Sequence, residues 1–210
     1  MLSEIFHWIG QHWVELIATI TGLIYIYLSV KENVWLWVAG FFSSALYVYV
    51  YYKAKFYADM SMQFYYLAIS VYGLYYWLFG GKKNLSDPNA EKVPIQTTSL
   101  KLGIILFAVF VILWIILGFV LKDYTDSPVP WGDAFTTAGS IVATWMLARK
   151  YIEQWLIWIV VDSVSLGLYI YKHLYPTSFL FLVYTILAVV GYLQWHKTLQ
   201  EQKLAVVHEK

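Results

Sequence analysis

Long apolar runs separated by short polar breaks dominate the pattern of this chain. Seven of them read as helices crossing a hydrocarbon core, a task that needs roughly 17–25 mostly apolar residues. They occupy residues 13–30, 34–52, 60–79, 100–121, 134–148, 154–171 and 176–195, the fifth being the shortest and least apolar. Ahead of them, residues 1–12 (MLSEIFHWIGQH) lack the cationic start and small-residue cleavage site of a signal peptide. Leu2, Ile5, Phe6 and Ile9 there predict a short amphipathic helix lying at the interface. The break at 80–99 (GGKKNLSDPNAEKVPIQTTS) is polar, with two glycines and two prolines, and reads as a linker between two halves. The break at 122–130 (KDYTDSPVP) leans acidic, as an external turn can, and residues 196–210 form a polar tail.

The chain also matches itself without gaps at an offset of 118 residues, through residues 19–77. The identities include Thr19/Thr137, Trp37/Trp155, Tyr51/Tyr169, Tyr57/Tyr175, Tyr66/Tyr184, Gly73/Gly191 and Trp77/Trp195. Two matched tryptophans, a matched glycine and three apolar blocks in register carry more weight than the number of identities. The first three helices (13–79) thus correspond to the last three (134–195), with helix 100–121 unmatched. One extra crossing between two three-helix units restores their common orientation. The expected fold is therefore all-α and integral to the membrane: seven transmembrane helices in a 3+1+3 arrangement of parallel repeats, related by an axis along the membrane normal.

Composition narrows the class. Of 210 residues, 60% are hydrophobic, 20% aromatic and only 13% charged, against roughly 45–50% apolar and 25% charged in soluble domains. A water-soluble globule of this length cannot hide that much apolar surface. A net charge of +1 lacks the basic footprint of a nucleic-acid binder. Without cysteine there is no disulfide framework or thiolate metal site. The basic residues set the orientation. The first, third and fifth loops and the tail hold ten of them: Lys31, Lys82, Lys83, Lys92, Lys101, Arg149, Lys150, Lys197, Lys203 and Lys210. The other side holds four: Lys53, Lys55, Lys122 and Lys172. This puts the C-terminus and the 80–99 linker in the cytoplasm and the N-terminus outside.

The sixth helix carries the candidate chemistry. Trp155, Trp158 and Asp162 fall within an arc of roughly 60°, and Ser165 and Tyr169 extend that side. Ile157, Val160, Val161, Val164 and Leu168 take the opposite side, for lipid or helix packing. Asp162 lies about 12 Å along the helix from Gln154, close to mid-bilayer. An aspartate there costs roughly 2.5–3.5 kcal/mol and should face a partner or a wet cavity. Indole faces attract cations, so Asp162 with two tryptophans can box a flat cationic ring. The alternative is a structural hydrogen bond with tryptophans that only pack. On the matching helix of the first half, Trp37, Gly40, Ser44, Tyr47 and Tyr51 share the corresponding face, with Ser44 opposite Asp162. Gln63, Tyr66 and Tyr184 can add amide and hydroxyl contacts or simply pack between helices. Thr137 and Thr144 share a face of the fifth helix, where bonding back to helix carbonyls is the plainer account. Asp133 reads as that helix's N-cap.

The five histidines lie at or beyond helix ends without metal-ligand spacing, so neither a metal nor a cofactor is expected. No G-x-x-x-x-G-K-[ST] loop is present, and no Ser/His/Asp set or H-E-x-x-H shares a membrane depth. An enzyme is therefore not expected. Asp162 is the only acid deep in a span and no basic group lies beside it to relay protons, so passive transport is simpler than proton-coupled symport.

Trp155, Trp158 and Asp162 also match the W-x-x-W-x-x-x-[N/D] signature of the Pnu (PnuC-like) family of vitamin transporters. Residues 131–195 resemble that family's second half and residues 22–77 its first. Gln154 stands where the family pattern has Asn. The resemblance implies a fold similar to full-length SWEET sugar transporters and a homotrimer in a bacterial inner membrane. It also implies facilitated, ATP-independent uptake of nicotinamide riboside, retained through phosphorylation by a cytoplasmic kinase. Relatives within the family carry thiamine or, less often, riboflavin. Nicotinamide riboside and thiamine both carry a fixed positive charge on an aromatic ring, so the Trp/Asp box does not choose between them.

Overall fold

A computed structural model of the chain describes residues 17, 20–54, 57–80 and 93–208. The expected interfacial segment 1–12 and much of the 80–99 linker lie outside the described residues. The described chain is helical: α1 Ile20–Val30, then α2 Trp35–Ala54, α3 Tyr57–Phe79, α4 Leu100–Tyr124, α5 Pro130–Ala148, α6 Gln154–Tyr171 and α7 Tyr175–His208. Among the described residues the one strand-like pairing is a single bridge between Gln96 and Tyr151. α4, α6 and residues Thr177–Ala205 of α7 are long and apolar enough to cross a bilayer. α2, α3 and α5, of 20, 23 and 19 residues, owe their lower hydropathy to Tyr, Trp, Ser and Thr more than to charge.

The chain divides into two compact units, Met1–Lys92 and Val93–Lys210. In the first, α2 packs on α3; in the second, α4 through α7 each pack on the next. The same local architecture recurs in the two units 118 residues apart, beginning at a turn. Glu32 and Lys150 both take a left-handed backbone, at φ 51° and 56°. Around them the same five backbone hydrogen bonds form. Lys31 N–H to Tyr27 C=O, Glu32 to Ser29, Asn33 to Leu28, Leu36 to Asn33 and Trp37 to Val34 have counterparts in Arg149 to Trp145, Lys150 to Leu147, Tyr151 to Met146, Gln154 to Tyr151 and Trp155 to Ile152. The crossed pair closing each helix end is a Schellman motif, which ordinarily takes glycine at the left-handed position. His173, at φ 57°, closes α6 in the same way.

Two element ends differ most from the sequence expectation. α5 begins at Pro130 rather than 134, because proline at the first helical position presets φ and needs no N–H there. Its N-cap is consequently Val129, not Asp133. The Asp133 carboxylate instead accepts from Ser127 Oγ at 2.6 Å and from Lys172 Nζ at 2.8 and 3.0 Å, tying the α4–α5 turn to the end of α6. α7 runs on to His208 rather than stopping at 195. The sequence past Trp195 is polar but rich in helix formers, and Trp195 and Leu199 stay buried one turn apart.

The end of the presumed linker is a docked strap. Val93 and Ile95 are buried. Gln96 N–H donates to Lys150 C=O at 2.9 Å, and Ile152 N–H donates to Gln96 C=O at 3.0 Å. The Thr98 N–H donates to both Glu153 carboxylate oxygens at 3.0 Å and its hydroxyl to one of them at 2.7 Å. Ser99 then caps α4, its side chain accepting from Leu102 N–H at 3.3 Å. Hydrogen bonds to a charged group contribute about 1.5–3 kcal/mol. Glu153→Ala is therefore expected to lower the thermal midpoint in detergent by a few degrees and to speed proteolysis within 93–99, with Glu153→Gln in between. Wild-type cleavage rates in Glu153→Ala would show that the strap is held by other contacts.

Candidate functional site

α6 is built to bury one side. Gln154, Trp155, Val161, Asp162 and Ser165 are buried, whereas Leu156 and Val160 are exposed. Val161, expected on the opposite side, is buried because α5 offers Gly139 to it: a Cβ at Gly139 would meet Val161 Cγ2 at 2.5 Å. Leu168 likewise lies against Gly132. The α5-facing stripe is thus set by glycines, and Leu156 and Val160 are left for lipid.

Asp162 is 3% exposed and has no hydrogen-bond or ion-pair partner among the described residues. Trp158, one turn earlier, is half-buried and makes no ring pair among them. Trp155 is situated differently. It is 2% exposed, its ring covers Gly191 of α7, and Trp195 meets it edge-on with centroids 5.7 Å apart and planes at 85°. Its indole N–H is buried without a partner among the described residues. Beside it Gln154 is fully buried, and neither its amide oxygen nor its amide nitrogen has a partner among the described residues. A buried polar group left unpaired costs about 1–3 kcal/mol, so this face carries several groups that packing alone does not account for.

The first unit repeats the indole arrangement. Trp37 covers Gly73 of α3 and meets Trp77 edge-on at 5.7 Å and 86°. It too is buried, with an indole N–H that is unpartnered among the described residues. Ser44, at the position matching Asp162, is buried. Gln63 and Tyr66 on α3 are half-buried, and Tyr66 sits edge-on to Tyr65 with its carbonyl accepting from Ser70 Oγ at 2.7 Å.

In the second unit, Tyr184 on α7 is half-buried and edge-on to Phe181. On α5, Thr144 bonds back to the Ser140 carbonyl at 2.7 Å and Thr136 to those of Gly132 and Asp133. Thr137 is half-buried. The structure therefore brings Trp155, Trp158 and Asp162 onto one side of α6, with Gln154 as a buried polar neighbour. Sequence reasoning treated Gln154 only as a departure from a pattern. The available signal was a polar residue one position before a matched tryptophan, with Leu36 as its counterpart. No group of His, Asp and Glu suited to a metal ion occurs among the described residues.

Comparison with known proteins agrees with this architecture. The family model described as nicotinamide mononucleotide transporter matches residues 12–197. The chain is 22% identical over 209 residues to the nicotinamide riboside transporter PnuC of Escherichia coli, covering 90% of this chain and 87% of that protein. It is 26% identical over 196 residues to the riboflavin/roseoflavin transporter RibM of Streptomyces davaonensis, covering 92% and 90%. Its fold is similar to the crystal structure of the vitamin B3 transporter PnuC, with a TM-score of 0.71 and 24% identity over 95% of this chain and 87% of that one. The chain is a multi-pass membrane protein and belongs to the nicotinamide mononucleotide transporter family.

Proposed function

We propose that this protein takes up nicotinamide riboside by facilitated diffusion across a bacterial inner membrane, with the N-terminus outside and the C-terminus cytoplasmic. The observation that carries the reading is Asp162, buried in an apolar helix without a partner among the described residues, one turn from the half-buried indole of Trp158. A carboxylate and an indole face at that spacing suit an aromatic cation bearing hydroxyl groups. Desolvated cation–π contacts are worth about 2 kcal/mol, and the carboxylate accepts from ribose hydroxyls or balances the ring charge. Trp158 is the indole a ligand can reach in the present state. Stacking on Trp155 requires α6 and α7 to part around Gly191. Within the second unit, Thr137 and Tyr184 complete the proposed lining.

The parallel-repeat reading, with units at 13–79 and 134–195, is supported by the shared turn geometry and the twin indole–glycine stacks. Uptake without ATP, a homotrimer and retention by a cytoplasmic kinase complete the proposal. Binding followed by tryptophan fluorescence in purified protein is expected to show saturable quenching by nicotinamide riboside and a much weaker response to thiamine. In vesicles, labelled riboside should equilibrate without accumulating, whether or not a pH gradient is imposed. Accumulation driven by the gradient would mean symport. The likeness to RibM favours one second reading, a flavin substrate. Tighter binding of riboflavin than of the riboside in the same titration would establish it.

A further inference from the structure

Gln154 begins α6 with a fully buried side chain whose amide oxygen and nitrogen have no hydrogen-bond partner among the described residues. The chain supplies its own control for what packing requires at this position. In the first unit the residue before the matched tryptophan is Leu36, equally buried. It is followed by the same indole–glycine stack and the same edge-on tryptophan, 5.7 Å away in both units, and preceded by the same turn hydrogen bonds. This scaffold closes with an apolar side chain, so its geometry does not demand an amide. Among the described residues nothing pairs with this buried carboxamide, which leaves both its ends free for a ligand.

Helical spacing indicates which partner. Gln154, Trp158 and Asp162 recur every four residues and lie along one ridge, about 12 Å from end to end. The ridge presents a carboxamide, an indole and a carboxylate in that order. A nucleoside stacked on Trp158 with its sugar toward Asp162 directs the far substituent of its ring toward Gln154. A carboxamide pairs with another carboxamide through complementary donor and acceptor, and a site built to pair a polar group rejects the analogue lacking it.

We propose that Gln154 is a specificity-determining residue that selects aromatic cations bearing a carboxamide, pairing with that group once its side chain is uncovered. The proposal rests on the reading of the α6 face as the vitamin site. The test uses the purified full chain, wild type and Gln154→Leu, titrated by tryptophan fluorescence with nicotinamide riboside and with the pyridinium riboside that lacks the carboxamide. Gln154→Leu installs the residue the first unit uses, and its thermal midpoint is expected to equal or exceed that of wild type. Affinity for nicotinamide riboside should fall at least tenfold, and affinity for the pyridinium riboside less than twofold. Gln154→Met, unbranched and without polar ends, should behave alike and serves if the leucine variant folds poorly.

Equal losses for both ligands, or a lowered midpoint with both affinities unchanged, would overturn the assignment and make the amide structural. A wild type that binds both ligands without preferring the carboxamide overturns the Gln154 proposal alone. A wild type that binds neither overturns the vitamin-site reading and the proposal with it.

Discussion

Gly191→Ala is expected to destabilise the second unit strongly. The added Cβ would lie 2.6 Å from two Trp155 ring carbons and 2.7 Å from a third. Real Cβ atoms do not come that close, so something must move. The far end of a flexible side chain could yield cheaply, but here the obstacle is the middle of a rigid indole that is 2% exposed and held edge-on by Trp195. Overpacking typically costs about 1–3 kcal/mol, and a boxed indole belongs at the upper end. That corresponds to a fall in the thermal midpoint on the order of 5–10 °C for a chain of this length. Gly73→Ala should do the same in the first unit, since its Cβ would overlap the Trp37 ring. Two controls share the chemistry without the obstacle. Gly40→Ala meets Tyr25 at 3.0 Å, where a side chain can shift, and should cost less. Gly167→Ala meets nothing within 4 Å and should be neutral or stabilising by up to about 1 kcal/mol through helix propensity. Thermal unfolding of the four variants in detergent gives the order directly. Equal midpoints for Gly191→Ala and Gly167→Ala would show that the indole stacks do not hold the helices together.

These stacks also mark where sequence reasoning reached and where it stopped. The matches Trp37/Trp155, Gly73/Gly191 and Trp77/Trp195 were legible as a repeat because identical residues must recur for an identical fit. Their meaning was not. A tryptophan two turns from an intramembrane aspartate and on the same side of the helix reads as a ring-stacking surface, and nothing in the order of residues says that a glycine 36 positions later accommodates it. The span of α6 was recovered at both ends because its apolar run and its helix end together. α7 outlasted its apolar run because helix propensity continues after hydropathy falls. The turns at Glu32, Lys150 and His173 escaped notice because left-handed closure is ordinarily read from glycine, and here backbone hydrogen bonds impose it on other residues. The strap at 93–98 looked like linker for a related reason. Its attachment is a single bridge and one carboxylate 55 residues away, contacts without periodicity.

Asp162→Ala is expected to abolish uptake while leaving the protein as stable as wild type or more so. The two halves of that expectation have one cause. A carboxylate in the middle of an apolar helix costs roughly 2.5–3.5 kcal/mol on insertion scales, and Asp162 recovers nothing through an ion pair or hydrogen bond among the described residues. Removing it relieves that cost, and the space left is small and borders polar Ser165, itself buried. A structural aspartate gives the opposite result, because deleting one partner of a buried pair strands the other and destabilises by about 3–5 kcal/mol. The first unit shows that the same position tolerates a small side chain, since Ser44 occupies it in a helix that packs in the same way. Asp162→Asn divides the functional role further. It keeps two hydrogen-bonding ends and removes the charge, so binding that survives in Asn but not in Ala assigns Asp162 to hydroxyl groups. Loss in both assigns it to the cationic ring. The measurements are thermal midpoint, fluorescence-detected affinity for nicotinamide riboside, and counterflow in proteoliposomes, each on the same three proteins. Full counterflow by Asp162→Ala, or a midpoint many degrees below wild type, would remove Asp162 from the transport path and make it a strut of the fold.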